Sequence, residues 1–542
     1  AFQNAYFLYR DEDSASFVAP PLAKAVAERA GGFSAVAGLL PGVQEVTTNV
    51  FQWTGIERRI ILLGPKQTGY SGRTPRVIRL TLDSDEARRV ARIGRTLYIS
   101  GGLVMQYDGV GLVEVGFHIA PWDFQMVNVG GLIPPGTYNY KLSLSWVNGV
   151  AERERSTAVV ARGIEVPINS TMRFDTTTTP FLYVTHKLNL RSPPSLEYWR
   201  TAVNPVADTP FQLVSSVDPA FLANPNRYVP NDPSDANAPQ FEDNMYDQVP
   251  DPNPIPILPN QVLATKEAFP ENGQVLESLP PVPGTIVVAT QDRLIMAGLA
   301  DDPNGIAYSK LRGDGETVAF HPALRLFLPP DGGPITALAY VNETLFAWKE
   351  RACFAVPGDG FDNLGGGDNY GPGRVISLDV GAESQEAIAT TPMGVVFKSL
   401  KGWYLLDRSF NCRYIGEAVR EFDSEVVKGA HVVESQHQVR IYTSSRVLVW
   451  DYDERVNQWA SWKIDGSGAL SSVIWLGIDT IIDGAGGVPR DQRGIHDGTE
   501  LVGADFETAW INLAELQGYQ RSWRLQLLGE YRSACRIRVR LK

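Results

Sequence analysis

The chain has 542 residues, 44% of them hydrophobic, with 50 glycines, 37 prolines and a formal net charge of −12. This length exceeds one ordinary core and implies two or three domains, and the Gly and Pro content suits many turns and few long helices. The negative charge argues against a general nucleic-acid-binding surface, which is normally basic, but leaves room for a channel along which DNA slides without adhering.

Three widely spaced cysteines, Cys353, Cys412 and Cys535, form neither a disulfide framework nor a zinc pattern and read as free thiols. No apolar run approaches the roughly 18 residues that cross a membrane, so stable membrane insertion is not expected. The start at Ala1 without Met and the stop at RIRVRLK, in mid-alternation, read as a piece of a longer chain.

Residues 1–43 read as an N-terminal arm. Within it PLAKAVAERA (21–30) places Leu22, Val26 and Ala30 on one helical face, and Gly31-Gly32 stops it, so a short helix is expected. Residues 44–126 turn to strands. VTTNVFQWTGIERRIILLG (46–64) is β-branched and broken at Thr54-Gly55, and ARIGRTLYISGGLVMQYDGVGLVEVG (91–116) reads as strand, turn, strand, turn, strand.

Residues 127–217 differ in character. In GTYNYKLSLSWVNGVAERERS the residues Tyr138, Tyr140, Leu142, Leu144 and Trp146 alternate onto one side, and Asn148-Gly149 makes a hairpin turn. With SLEYWRTAVN and PFQLVSSV this fits an inserted immunoglobulin- or fibronectin-like sandwich. Residues 218–284 hold 14 of the 37 prolines, with many Asp and Asn. Such a segment forms neither helix nor central strand and is expected to be extended and to lie across a neighbour in an assembly.

From 285 to 508 one pattern repeats at a spacing of about 45 to 50 residues, the period of a propeller blade. DRLIMAGLADDPNGIAYSK, PITALAYVNETLFAWKERACFAVP, QEAIATTPMGVVFKSLKGWYLLDR and HQVRIYTSSRVLVWDYDERVNQWASW each read as three or four short strands with tight turns. One such unit cannot bury both faces of its sheet, so the units must adjoin in a ring or stack. The expected fold is mainly β: a six- or seven-bladed β-propeller, the seventh unit being 46–82, with the inserted sandwich and the Pro-rich extended segment. Residues 509–542 add two Arg-rich strands, SWRLQLLGEY and RIRVRLK.

No catalytic constellation is legible. The six histidines (His118, His186, His321, His431, His437 and His496) form no HxH or HExxH, and His431 and His437 read as surface residues. GxSxG and GxxxxGK[ST] are both absent. The glycine-rich run GDGFDNLGGGDNYGPG (358–373) has no following helix and reads as a long loop at a propeller face. Its Asp359, Asp362 and Asp368 are weak calcium candidates by their oxygen ligands. Asp301-Asp302 and the Asp451/Asp453 pair are explained by turn chemistry, with a glycosidase pair as the sharper alternative. Trp348, Trp403, Trp450, Trp459, Trp462 and Trp475 fit inter-blade packing better than a sugar site.

The blade run carries a resemblance. NGIAYSK, DGGPITALAYVNETLFAWKERACFAVPGDG, DVGAESQEAIATTPMGVVFKSLKGWYLLDR, YIGEAVREFD and VLVWDYDERVNQWASW, with the sandwich stretch and LLGEYRS, resemble a family of tailed-bacteriophage virion proteins. These are β-propeller tail proteins of the nozzle (tail tubular protein B) or packaged-DNA-stabilising kind in short-tailed phages. The resemblance covers about 100–533 and rests on structural motifs. It implies a virion-tail protein assembled in the host cytoplasm, a homo-oligomeric ring, hexameric by preference, below the portal and adaptor and beside tail fibres or a tail needle. Double-stranded DNA would pass its lumen without sequence recognition and be retained until ejection. It implies no enzyme activity and no cofactor. Two other readings remain at this point: a tail-tip propeller that stacks host glycan on Trp403 and Tyr404 near the turn at Lys401-Gly402, and a propeller glycosidase.

Overall fold

In the computed structural model, the described residues are 89–175, 194–217 and 276–505, apart from short interruptions, together with the strands Ala27–Ala30, Phe33–Ala35, Gln44–Thr47, Arg58–Gly64, Arg76–Leu82 and Gln240–Glu242. The chain is mainly β, built from several antiparallel sheets.

Six of these sheets are consecutive up-and-down meanders. Meanders one to five span 90–114, 284–327, 335–377, 388–414 and 427–463, with four strands each. Meander six spans 469–492 with three strands and gains its fourth, Phe33–Ala35, from far upstream. The first strand of each meander lies against the first strand of the next.

Period-two alternation explains why each sheet needs two neighbours. In meander three, Ala337 and Ala339 face meander four, whereas Leu338 faces meander two. In meander four, Val395 and Phe397 face meander three, whereas Val396 faces meander five. Strands buried on both faces read as near-continuous apolar runs, as in TLFAWK and GVVFKS. Five cores result, each shared by two consecutive meanders. They contain the buried tryptophans Trp348 (three and four), Trp403, Trp450 and Trp459 (four and five) and Trp462 (five and six). Tight turns set the registers. Asn342 and Glu343 both take left-handed φ, 49° and 60°, as a two-residue hairpin turn between Val341 and Thr344 requires.

Between meanders one and two lie two facing sheets. The long strand Gly136–Val147 centres one of them, flanked by Arg153–Arg155 and Val159–Val166 on one side and by Ser195–Arg200 then Gln212–Val217 on the other. The second has the order Gln125–Gly130, Ser170–Asp175, Gln240–Glu242. Tyr138, Tyr140, Leu142, Leu144 and Trp146 are buried in one cluster with Met172 of the second sheet. The opposite face of the long strand buries Ser143, which accepts the Trp199 indole N–H at 3.0 Å.

Three expectations are corrected. Within PLAKAVAERA, Ala27–Ala30 is a strand, parallel to Gln458–Lys463; residues 21–26 lie outside the described residues. The open edge of meander five offers a full ladder of hydrogen bonds, which outweighs the helix propensity of so short a segment. The 44–82 region is not a seventh meander: Gln44–Thr47 runs parallel to Arg76–Leu82, which pairs antiparallel with Arg58–Gly64. His431 is half-buried rather than on the surface, against Ser472 and Tyr442. The Pro-rich segment contributes the edge strand Gln240–Glu242 to the second sheet, and its end at 276–283 packs within the chain, where the backbones of Leu279 and Phe320 bond reciprocally. The expected strands of 509–542 lie outside the described residues.

Candidate functional site

Among the described residues, an extensive polar assembly forms where the two facing sheets dock on meanders one and two. It begins with the hairpin at 147–153. Asn148 Oδ1 accepts the N–H groups of Val150 and Glu152 at 3.1 and 2.8 Å, and Ala151 takes φ 64°, which tightens the turn. The strand that follows reads Glu152-Arg153-Glu154-Arg155, and alternation sends the two carboxylates to the same face.

Both carboxylates are buried and satisfied. Glu152 Oε2 accepts from the Thr96 hydroxyl at 2.6 Å and from Asn148 Nδ2 at 3.2 Å, and its Oε1 accepts from Arg312 NH1 at 3.1 Å. Glu154 Oε1 accepts the Gly116 N–H at 2.6 Å and its Oε2 the Gln106 amide at 3.1 Å. Thr96 and Gln106 belong to meander one, and Arg312 follows the third strand of meander two. Arg153 itself bonds through its backbone to Gly315 and Thr317 of meander two. The junction therefore ties three bodies of structure through charge-assisted hydrogen bonds rather than apolar packing alone. Tyr98 adds to it: its hydroxyl accepts the Val318 N–H at 3.2 Å, and burial pushes its pKa far up, so it stays neutral.

Beside this junction is a cavity of about 80 Å³ lined by Gly116, Arg153, Glu154, Lys310, Glu316 and Asn363, among others. Lys310 donates to the Leu276 carbonyl at 2.8 Å, which holds the end of the Pro-rich segment. Asn363, from the glycine-rich run, clasps the backbone of Leu311 with both ends of its amide, at 2.7 and 2.8 Å. Buried Arg293 donates to the carbonyls of Ser309 and Phe361, and burial lowers its pKa. A cavity of this size with polar walls suits two or three waters. It assembles no nucleophile, base and orienter.

The glycine-rich run is thus a clamp that leans from meander three back onto meander two. Asp362 Oδ1 accepts the N–H groups of Leu364 and Gly366 at 2.9 and 2.7 Å, so it caps its own turn. Asp359 is exposed, and Asp368 lies outside the described residues. Among the described residues no three His, Cys, Asp or Glu side chains group as a metal site. Asp302 caps Asn304 N–H at 2.8 Å, Asp301 pairs with Arg325 at 2.7 Å, and Asp451 caps Asp453 N–H at 3.0 Å. Asp302 and Asp451 are turn chemistry, and Asp301 forms an ion pair with the fourth strand of meander two.

Trp403 is 1% exposed and packs against Trp459 at 6.3 Å, as inter-blade packing expects and against the exposure that the glycan-stacking alternative needs. The turn at Lys401-Gly402 misleads because the strand begins at Gly402 itself, where Trp403 already points inward between meanders four and five. Tyr404, one residue on, points the other way and stacks on Phe397 at 5.9 Å. Cys353 and Cys412 share the core between meanders three and four, and burial raises both thiols, Cys412 to about 11. The Glu152/Glu154 network escapes a motif search, although two acids at i, i+2 directly after an Asn-Gly turn were there to be read.

No protein-family model matches the chain, and no curated protein matches it. Among solved structures it is similar to human WBSCR16, at 9% identity and TM-score 0.26, over 76% of this chain and 92% of that one. It is also similar to PorZ, a bacterial surface component of the type-IX secretion system of Porphyromonas gingivalis, at 12% and 0.19, over 75% of this chain and 52% of that one. A third is AztD of Citrobacter koseri, at 10% and 0.24, over 80% and 92%. At TM-scores this low, none of these likenesses carries an argument about fold or role.

Proposed function

We propose that this chain is a structural component of a bacteriophage tail, the nozzle ring below the portal and adaptor, which continues the DNA channel, helps to retain the packaged genome and conducts it at ejection. In this reading the six meanders close into a six-bladed propeller, and the paired sheets between meanders one and two are its immunoglobulin-like insertion. The observation that carries the reading is the order of the parts. The blade stretches that resemble the phage tail family fall on meanders two to five in order, and the sandwich stretch that resembles it falls ahead of them on the two facing sheets, which are locked to meander one through Glu152 and Glu154. Such locking suits the wall of a channel that must hold against internal pressure. A net charge of −12 suits a lumen that passes DNA without holding it, since Lys and Arg contacts are what retain phosphates.

The test is to locate the chain in particles of the virus that encodes it and to make particles without it. The proposal expects a stoichiometric virion protein whose loss leaves heads that package DNA and then leak it. Absence from purified particles, or a lumen mapped as strongly basic, would overturn it. Of the two residues on which the glycan-stacking alternative rested, Trp403 is buried and Tyr404 is half-buried against Phe397.

A further inference from the structure

One buried amine stands outside the docking junction and the apolar cores. Lys349 ends the second strand of meander three, Thr344–Lys349, and is fully buried. Its Nζ donates to Asn304 Oδ1 at 2.6 Å and to the Pro329 carbonyl, with the ring of Phe354 at 5.9 Å. Asn304 lies in the turn between the second and third strands of meander two, so the contact joins two meanders.

Backbone hydrogen bonds fix both residues. The carbonyls of Pro303 and Asn304 accept the N–H groups of Ile335 and Leu328 at 3.0 and 3.1 Å. The Lys349 N–H donates to the Ala352 carbonyl at 2.8 Å, and the Lys349 carbonyl accepts the Ala382 N–H at 3.0 Å. A carboxylate stands beside the pair: Asp302 Oδ1 accepts the Asn304 N–H at 2.8 Å. Burial is the largest influence on the Lys349 amine and lowers its pKa, against the charges of Asp331 and Asp302, which raises the share of the neutral, nucleophilic amine.

We propose that Lys349 and Asn304 form an intramolecular isopeptide bond, a covalent tie between meanders two and three. Asn304 Cγ lies one carbonyl bond, about 1.2 Å, beyond the oxygen that Nζ already touches, so a small shift brings the amine onto carbon. The pinned backbones hold the two groups together, which lowers the entropic barrier to their reaction. In the reaction the Nζ–Cγ bond forms, the bond from Cγ to the Asn304 amide nitrogen breaks, and ammonia leaves. The proton that Nζ gives up goes to the departing nitrogen, carried by the Asp302 carboxylate. Nothing is oxidised or reduced, and no co-reactant is required. Asn304 precedes Gly305, a sequence open to succinimide formation by attack of the Gly305 nitrogen. That N–H is engaged by the Asp302 carbonyl at 3.2 Å, which restrains the competing nitrogen. The inference concerns a bond within one molecule and holds or fails independently of the proposed role.

The test is intact-mass spectrometry and a tryptic digest of the purified full chain. The expected mass is that of the residues less one ammonia. Trypsin does not cut at an acylated lysine, so the digest should contain one branched peptide that joins 294–310 to 326–351. Lys349→Met and Asn304→Ala should each restore the full mass and abolish the branched peptide. These changes also remove buried hydrogen bonds, so Asp302→Asn, which keeps a side-chain oxygen for the Asn304 N–H, is the second variant. Its crosslinked fraction in freshly purified protein should be at least about tenfold lower, with an unchanged far-UV spectrum. A wild-type chain of full mass with no branched peptide would overturn the proposal. So would an ammonia loss that persists in Lys349→Met, which marks a succinimide at Asn304-Gly305. Undiminished crosslinking in Asp302→Asn would overturn the role given to Asp302.

Discussion

Glu152→Ala is the sharpest perturbation of the junction. The carboxylate is buried and accepts from the Thr96 hydroxyl, the Asn148 amide and Arg312 NH1 at 2.6, 3.2 and 3.1 Å. Alanine leaves all three donors facing a gap. Hydrogen bonds to a charged group contribute about 1.5–3 kcal/mol each in favourable cases, and breaking one side of a buried pair costs about 3–5 kcal/mol. Arg312 keeps partial contact with water and its bond to the Glu316 carbonyl, which lowers the figure. The expected loss is therefore about 3 kcal/mol, confined at first to the docking of the paired sheets on meanders one and two. Hydrogen exchange should show it as faster exchange at Arg153, Thr317 and Gly116, with meanders three to five unchanged. Combining it with Arg312→Ala should recover about 1–2 kcal/mol of coupling in a double-mutant cycle. A loss below about 0.5 kcal/mol, or one spread evenly over all meanders, would refute the reasoning.

Other outcomes follow from the cores and turns. Trp450 is buried, stacks on Trp459 at 6.2 Å and donates to Asn457 Oδ1, so Trp450→Ala should cost about 3–5 kcal/mol in denaturant unfolding. Gly394 has φ +144°, and a Cβ there would collide with the Leu406 carbonyl, so Gly394→Ala should open the hairpin of meander four and lower the melting temperature. His431 faces Ser472, Tyr442, Arg440 and, through Arg440, Asp479; burial chiefly holds its pKa down to about 4. The unfolded chain takes up this proton near pH 6.5 and the folded chain only near pH 4, so stability is full above pH 6.5 and falls as the pH drops toward 4. The ceiling is about 3 kcal/mol, reduced because the ring is only half-buried; His431→Gln should flatten the pH dependence of the melting temperature over this window. Added calcium should leave the melting temperature unchanged, because Asp362 already caps its turn; a rise of several degrees would restore the calcium reading of Asp359 and Asp362.

The meanders were legible because their signal is local. Alternation in TLFAWK and GVVFKS, and turn residues such as Asn342, specify strand, face and register within about ten residues. What escaped reading depends on distant partners. Ala27–Ala30 has a helical composition but meets an open edge more than 400 residues downstream, a pairing that no window of sequence contains. Tyr404, beside Trp403 in sequence, offered no local sign of its surroundings, and only the position of meander three decides that it is half-buried against Phe397. The buried Glu152 and Glu154 look like solvated charge in a hairpin until Thr96, Gln106 and Arg312 are brought to them by the fold.

The central claim, a ring around a DNA channel, is tested most directly by electron microscopy class averages of the purified protein and of intact particles. The account expects a closed ring with an open channel wide enough for a DNA duplex, and the same ring below the portal in the particle. Monomeric discs without a channel, or the chain found only at the distal tip or on fibres, would contradict it.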